Sequence, residues 1–279
     1  MNFSSPVLSI EIDGHVATLW LDRPEKRNAM SHEMWSNFPA AIDAIAAEPE
    51  VRAVVLAGRG KSFCVGIDLA DLGNQPAASD QKGGGKTSGA LANLRQMGVT
   101  RAFQDAITAV AECPLPVIAA IHSHCLGAGI DLVTACDIRV ASQDASFGVR
   151  ETKIGIVADV GTLQRLPGIV GDGHVAELAY TGKDIDAKRA EKIGLVNDVY
   201  DDAEAAQAAA LEMAQEIAAN APLAVRGTKF ILQQSEVLTT EQSLLLNGLW
   251  TMSTTLNSND LMEAMAAFME KRPAKFSGS

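Results

Sequence analysis

Residues 7 to 21, VLSIEIDGHVATLWL, alternate apolar and polar positions on both sides of Asp13-Gly14. That period-two pattern predicts a β-hairpin closed by a tight primed turn. After the turn DRPEKRNAM, Ser31 is placed to cap a helix running to about Ala47, and the apolar runs VRAVVLAG (51 to 58) and PVIAAIH (116 to 122) predict two further strands. From about residue 205 the pattern changes to Ala-, Glu- and Leu-rich helical sequence, broken at Pro222, with Leu244 to Met252 on a long helix. The expected fold is therefore α/β, with a core over residues 1–204 and a helical region over 205–279. Residues 73–90, GNQPAASDQKGGGKTSGA, fit neither pattern and are too poor in large apolar groups to pack. They read as a surface loop, either a passive insertion or a flap beside FCVGIDLADL, which precedes it.

Composition narrows the function classes. A chain of 279 residues with 47% hydrophobic and 5% aromatic content can build a core from Ala, Val, Leu and Ile without staples. A formal charge of −11 without a basic block argues against nucleic acid and against an anionic membrane surface. The four cysteines, at 64, 113, 125 and 136, lack metal-site spacing and read as reduced core thiols, so no metal site is expected. With neither a secretory leader pattern at the start nor an apolar run of about 20 residues, the expected location is the cytoplasm.

The chemistry concentrates in two glycine-marked turns and three acids. FCVGIDL (63 to 69) and HCLGAGIDL (124 to 132) each follow an apolar strand, and a glycine there lets the main chain approach a ligand closely. If the N–H groups of Ile67, after Gly66, and Ala128, after Gly127, converge, they form a two-donor hole for an enolate oxygen, each donor contributing about 3 kcal/mol to the transition state. The plainer reading of GAG is an ordinary strand-to-helix turn. A dinucleotide fingerprint is excluded because Leu132 stands where its third glycine belongs. Asp131, Glu151 and Asp159 are the nearby proton carriers. Each has a bland alternative: Asp131 favouring a helix dipole, Glu151 a solvated loop charge, Asp159 a helix cap. His122 and His124 flank Ser123 but lack a nucleophile elbow and read as strand-end residues.

FCVGIDL, PVIAAIHSHCLGAGIDLVTACDIRVAS and FGVRETKIGIVADVGTLQRLPGIVG, with LDRPEKRNAM before them and AFMEKRPAKF after, resemble the enoyl-CoA hydratase/isomerase (crotonase) superfamily over nearly the whole chain. The resemblance implies a spiral of β-β-α turns and an acyl-CoA thioester as ligand. It also implies a homotrimer or dimer of trimers assembled through the C-terminal helices, and it identifies Ile67 and Ala128 as the oxyanion-hole positions. No cofactor is implied beyond the coenzyme A of the substrate.

The reaction depends on the acids, since this frame hosts several chemistries. Hydratases of the superfamily carry Glu at the positions of Asp131 and Glu151, and normally Gly at that of Asp159. Asp, Glu and Asp together resemble the Δ3,5-Δ2,4-dienoyl-CoA isomerase subgroup. That similarity implies proton transfer at C2 by Glu151 and at C6 by Asp159, with Asp131 orienting the pair or a water. Enoyl-CoA hydration and a non-catalytic CoA- or RNA-binding role are the alternatives; the charge counts against RNA. Expected contacts to the CoA portion are Lys26, Arg27, Cys64, Val65, Gly66, Asp68, Leu69 and Gly127, with Phe268 and Lys271 supplied by a neighbouring subunit.

Overall fold

The computed structural model describes residues 3–73 and 88–279. Nine strands run in chain order as β1 (Leu8–Asp13), β2 (Val16–Leu21), β3 (Ala53–Gly58), β4 (Val117–Ile121), β5 (His124–Leu126), β6 (Ile138–Ser142), β7 (Ser146–Gly148), β8 (Ile185–Asp186) and β9 (Asp198–Tyr200) among the described residues. The helices are α1 (His32–Ala46), α2 (Leu69–Gly73), α3 (Gly89–Ala111), α4 (Ala128–Ala135), α5 (Thr162–Arg165), α6 (Asp172–Thr181), α7 (Ala187–Lys192), α8 (Ala203–Ala218), α9 (Pro222–Ser235), α10 (Thr240–Ser253) and α11 (Asn259–Glu270). The segment expected to form a flap or insertion, 73–90, lies outside the described residues except at its ends. There Gly73 closes α2 and the Ser88 side chain caps α3 by accepting from Leu91 N.

The hairpin forms, with its turn one residue later than the sequence suggests. Asp13 pairs with Val16, so the loop is Gly14-His15 and the glycine takes the first loop position at φ +56°. Ser31 caps α1 through Met34 N, as expected. A six-stranded sheet runs β1-β2-β3-β4-β6-β9, antiparallel only between β1 and β2, and a smaller sheet runs β5-β7-β8. Successive turns of the chain feed both: β3 leads to Cys64, β4 to β5, β6 to β7. Cys64 bridges Cys125 in parallel, and β5 pairs β7 in parallel. This is the β-β-α spiral.

Burial explains the layering. All six residues of β2 are buried, although alternation predicts one wet face. Ala17, Leu19 and Leu21 pack with Phe38 of α1 and Ile107 of α3, while Val16 and Trp20 pack with Val55, Ile118 and the alanines of α8. Both faces of the large sheet are thus covered, the usual condition of parallel strands. In α8, Ala206, Ala210, Ala214 and Ala218 recur at every fourth residue, and a stripe of small side chains brings the helix close to the sheet. Although α8 begins beside the expected boundary at 205, it packs as part of the core. Next, α9 is fixed by buried Lys229, whose Nζ donates to Leu115 O (2.9 Å) and Asp137 Oδ2 (2.7 Å). Beyond it, Leu244, Leu245, Leu249, Met252, Met262 and Met265 are exposed. The four cysteines are free and buried, and no described helix is long and apolar enough to cross a membrane.

Candidate active site

Three residues past each partner of the Cys64–Cys125 bridge stands a backbone N–H that meets no acceptor among the described residues: Ile67 and Ala128. The turns that present them are pressed together. Gly66 has φ +100° and Gly127 φ +50°, conformations that L side chains rarely adopt. A Cβ on Gly66 would lie 3.1 Å from Leu126 O, and one on Gly127 would lie 3.6 Å from Gly66 Cα. Met30 N holds Gly66 O at 2.8 Å, and Gly127 N is held by Gly148 O at 2.9 Å. Ala128 opens α4, so its N–H is one of the unpaired donors of a helix N-terminus. Both residues line a cavity of about 210 Å³. Its wall also carries Asp131, Glu151 and Asp159, with an apolar side from Trp35, Phe103, Leu126, Ile156 and Val160.

The three acids occupy different environments. Asp131, 1% exposed, is held by α5: its Oδ1 accepts from Thr162 N (2.6 Å) and Thr162 Oγ1 (2.7 Å), while Oδ2 has no partner among the described residues. Burial pushes its carboxyl up to about 7, against the Thr162 hydrogen bonds and with help from the like charges of Glu151 and Asp159. Glu151, 9% exposed, begins a short 3-10 helix after β7, and its Oε2 likewise has no partner among the described residues. Its carboxyl is also raised, first by burial and then by Asp159. A buried carboxylate with a bare oxygen is costly unless something else meets it, and here that oxygen belongs to a residue of the cavity wall. Asp159 is exposed, and its backbone O accepts from Gln104 Nε2 at 2.7 Å. It caps no helix: the N-cap of α5 is Gly161, without a side-chain cap, and Asp131 takes the N–H of Thr162 instead. Glu151 is not a solvated loop charge.

Of the remaining expected contacts, Val65, Gly66, Leu69 and Gly127 line the cavity. Cys64 and Asp68 do not. Cys64 is fully buried, its N bonded to His124 O and its O to Leu126 N, and burial pushes its thiol up to about 12. Asp68 pairs with Arg23 (2.7 Å) and accepts from Ala70 N, the Arg23 hydrogen bond lowering its carboxyl. Both hold the turn through these bonds. Lys26 and Arg27 are exposed on the early turn, and Arg27 O accepts from Val65 N. Phe268, 82% exposed, and Lys271 lie at the end of α11, and neither lines this cavity. Sequence reasoning missed Trp35, Phe103 and Arg150. Arg150 lines the wall while Asp184 holds its guanidinium (Nε–Oδ1 2.8 Å). Its adjacency to Glu151 was the available signal.

Asp131 makes the site a cost to stability. Its folded carboxyl, at about 7, lies above the unfolded value of 3.8. Stability from the protonated form is therefore fully present below the unfolded value and is lost as pH rises through about 7. Asp131→Asn keeps the acceptor for Thr162 and removes the titration. At pH well above 7 the variant should be more stable than the parent, by up to about 4 kcal/mol, and the gain should vanish near pH 4. Denaturant melts across that range measure this; a gain that does not change with pH would show that Asp131 is not the group responsible.

Comparison with known proteins agrees with this geometry. The family described as Enoyl-CoA hydratase/isomerase matches residues 11–279. The chain is 40% identical to the peroxisomal Delta(3,5)-Delta(2,4)-dienoyl-CoA isomerase of Arabidopsis thaliana, covering 95% of this chain and 93% of that protein. It is 42% identical to the mitochondrial Delta(3,5)-Delta(2,4)-dienoyl-CoA isomerase of Homo sapiens, covering 94% and 78%. A crystal structure of a putative enoyl-CoA hydratase from Streptomyces coelicolor superposes with a TM-score of 0.89 at 32% identity, over 100% of this chain and 97% of that one.

Proposed function

Because the chain belongs to the enoyl-CoA hydratase/isomerase family, we propose that its cavity converts 3,5-dienoyl-CoA to 2,4-dienoyl-CoA by proton transfer between carboxylates. The observation that carries this reading is a third acid, Asp159, on the wall of the cavity that already holds Asp131, Glu151 and the two donors. Ionised Glu151 takes a proton from C2, and its raised carboxyl makes it the stronger base for that step. The electron pair enters the thioester carbonyl and the conjugated chain, giving a dienolate whose oxygen the N–H groups of Ile67 and Ala128 hold. Protonated Asp159 returns a proton at C6, and the bonds between C2 and C6 shift by one position. The next turnover begins once Glu151 has lost its proton and Asp159 has regained one. Asp131, anchored by Thr162, orients the pair or a water.

This reaction calls on no metal, nucleotide or flavin. The test is a 3,5-dienoyl-CoA assay in the presence of EDTA, followed in the near-UV band of the conjugated thioester, with crotonyl-CoA as a second substrate. Rapid isomerisation and slow hydration are expected. Hydration is the second reading, since Asp131 Oδ2 and Glu151 Oε2 both lack a partner among the described residues and are available to a water. No near-UV rise together with fast loss of crotonyl-CoA would establish that reading instead.

The proposal extends to assembly and location. The exposed Leu and Met side chains of α10 and α11 support a homotrimer or a dimer of trimers, with Phe268 and Lys271 reaching the CoA portion bound by a neighbour. Light scattering should give a trimeric or hexameric mass, and a fully active monomer would contradict it. The proposed compartment is the cytoplasm, unlike the peroxisomal and mitochondrial compartments in the relatives' names. Fractionation would check this.

A further inference from the structure

The catalytic cavity shares two residues with a second cavity. Trp35 of α1 and Phe103 of α3 stack with ring centroids 4.9 Å apart and planes inclined by 25°. Both rings line the site that holds the carboxylates. Both also line a cavity of about 270 Å³ between α1 and α3, with His32, Ser36, Gly98 and Ala102 around it. The stack is therefore a partition. One side faces the acids, and the other faces a groove that ends in exposed residues of α1 and α3.

Two features make the pair a stop rather than an ordinary core contact. Trp35 is 2% exposed, yet its Nε1 has no hydrogen-bond partner among the described residues, so the ring and not the N–H accounts for its place there. Phe103 is only half-buried, and His32 meets it edge-on at 6.2 Å. Its ring can be removed without emptying a fully buried position. Beyond it the groove is open: Gly98 is exposed, and a Cβ there would meet nothing within 4 Å.

We propose that the Trp35–Phe103 stack is the end-stop of the acyl site and sets the chain length it accepts, the α1–α3 groove being the path of a longer tail when the stack is opened. This rests on the acyl-CoA reading of the site and goes beyond it by naming what fixes substrate length. A growing chain gains contact with the apolar wall until its end meets the two rings. Further carbons must then displace a stacked aromatic pair or turn back toward water.

Binding alone tests this. Saturated acyl-CoA thioesters from hexanoyl to hexadecanoyl are titrated calorimetrically into the whole protein. For the parent, affinity should rise by about fourfold per added methylene, the ~0.8 kcal/mol of a buried CH2, and then level off. In Phe103→Ala the levelling should move to a longer homologue, while in Trp35→Phe, which keeps an aromatic stack and removes the unpaired N–H, it should stay near that of the parent. If Phe103→Ala melts early, Phe103→Leu gives the same comparison with a smaller void. A levelling point that is unmoved in the folded Phe103 variant overturns the proposal, as does a parent whose affinity climbs without levelling to hexadecanoyl. No dienoyl-CoA turnover with a shifted levelling point would sink the isomerase reading and leave the end-stop standing. No binding of any acyl-CoA would sink both.

Discussion

Asp159→Asn should lower isomerisation of 3,5-dienoyl-CoA by about 10² to 10⁴-fold, the range for loss of a general acid or base. The substitution keeps shape and volume and removes only the proton that C6 needs. Asp159 is exposed and its side chain caps no helix, so folding should be unaffected. Binding should also survive, because the proposed mechanism has the thioester oxygen met by the N–H groups of Ile67 and Ala128. The informative readout is isotopic: with Glu151 and the two donors intact, substrate recovered from D₂O should still carry deuterium at C2. Mass spectrometry reads this directly. Turnover within about threefold of the parent, far below the general acid-base range, would make Asp159 a bystander at the cavity mouth.

Glu151→Gln should have the complementary effect. Isomerisation should fall by about 10² to 10⁴-fold or more, and exchange at C2 should stop, because the amide cannot take the proton that starts the reaction. The side chain is buried and its Oε2 has no partner among the described residues, so the amide replaces a costly charge and the fold should be retained or strengthened at alkaline pH. A Glu151→Gln protein that still exchanges C2 at the parental rate would move the first proton transfer to another group, Asp131 being the next candidate on the same wall. The two variants together separate the two ends of the acyl chain. Loss of exchange in both would point to a single coupled transfer, and loss in Asp159→Asn alone would reverse the assignment.

How far the sequence revealed this site depends on the range of the interactions involved. The strands β3 and β4 and the capped helix α1 were legible because their signals are local: an apolar run, or Ser31 three residues before Met34 N. The two turns were legible for the same reason, since a glycine at positive φ leaves a mark in the sequence. What depends on contacts across the chain was not. The burial of the second face of β2 comes from α8, nearly two hundred residues later, and no local pattern announces it. Nothing local announces that Arg23 pairs with Asp68, or that Asp131 anchors α5 as well as lining the cavity. The aromatic wall was missed because Trp35 and Phe103 each fit the apolar stripe of a helix, and only the packing of α1 on α3 turns two stripes into a partition.

The Cys64–Cys125 bridge bears on how such a site can change. Its two N–H donors occur at the same offset, three residues on, in successive turns of the spiral. The strand ends that lead into the two turns are therefore held at the spacing of neighbouring strands, ~4.8 Å, a length that side-chain replacement hardly alters. The acids hang from α4, from the 3-10 helix after β7, and from the stretch before α5, outside that ladder. On the proposed mechanism, exchange of one acid redirects where a proton goes and leaves the two backbone donors in place. On that proposal, a search for new reactions on this scaffold starts at positions 131, 151 and 159, with the backbone of the two turns left untouched.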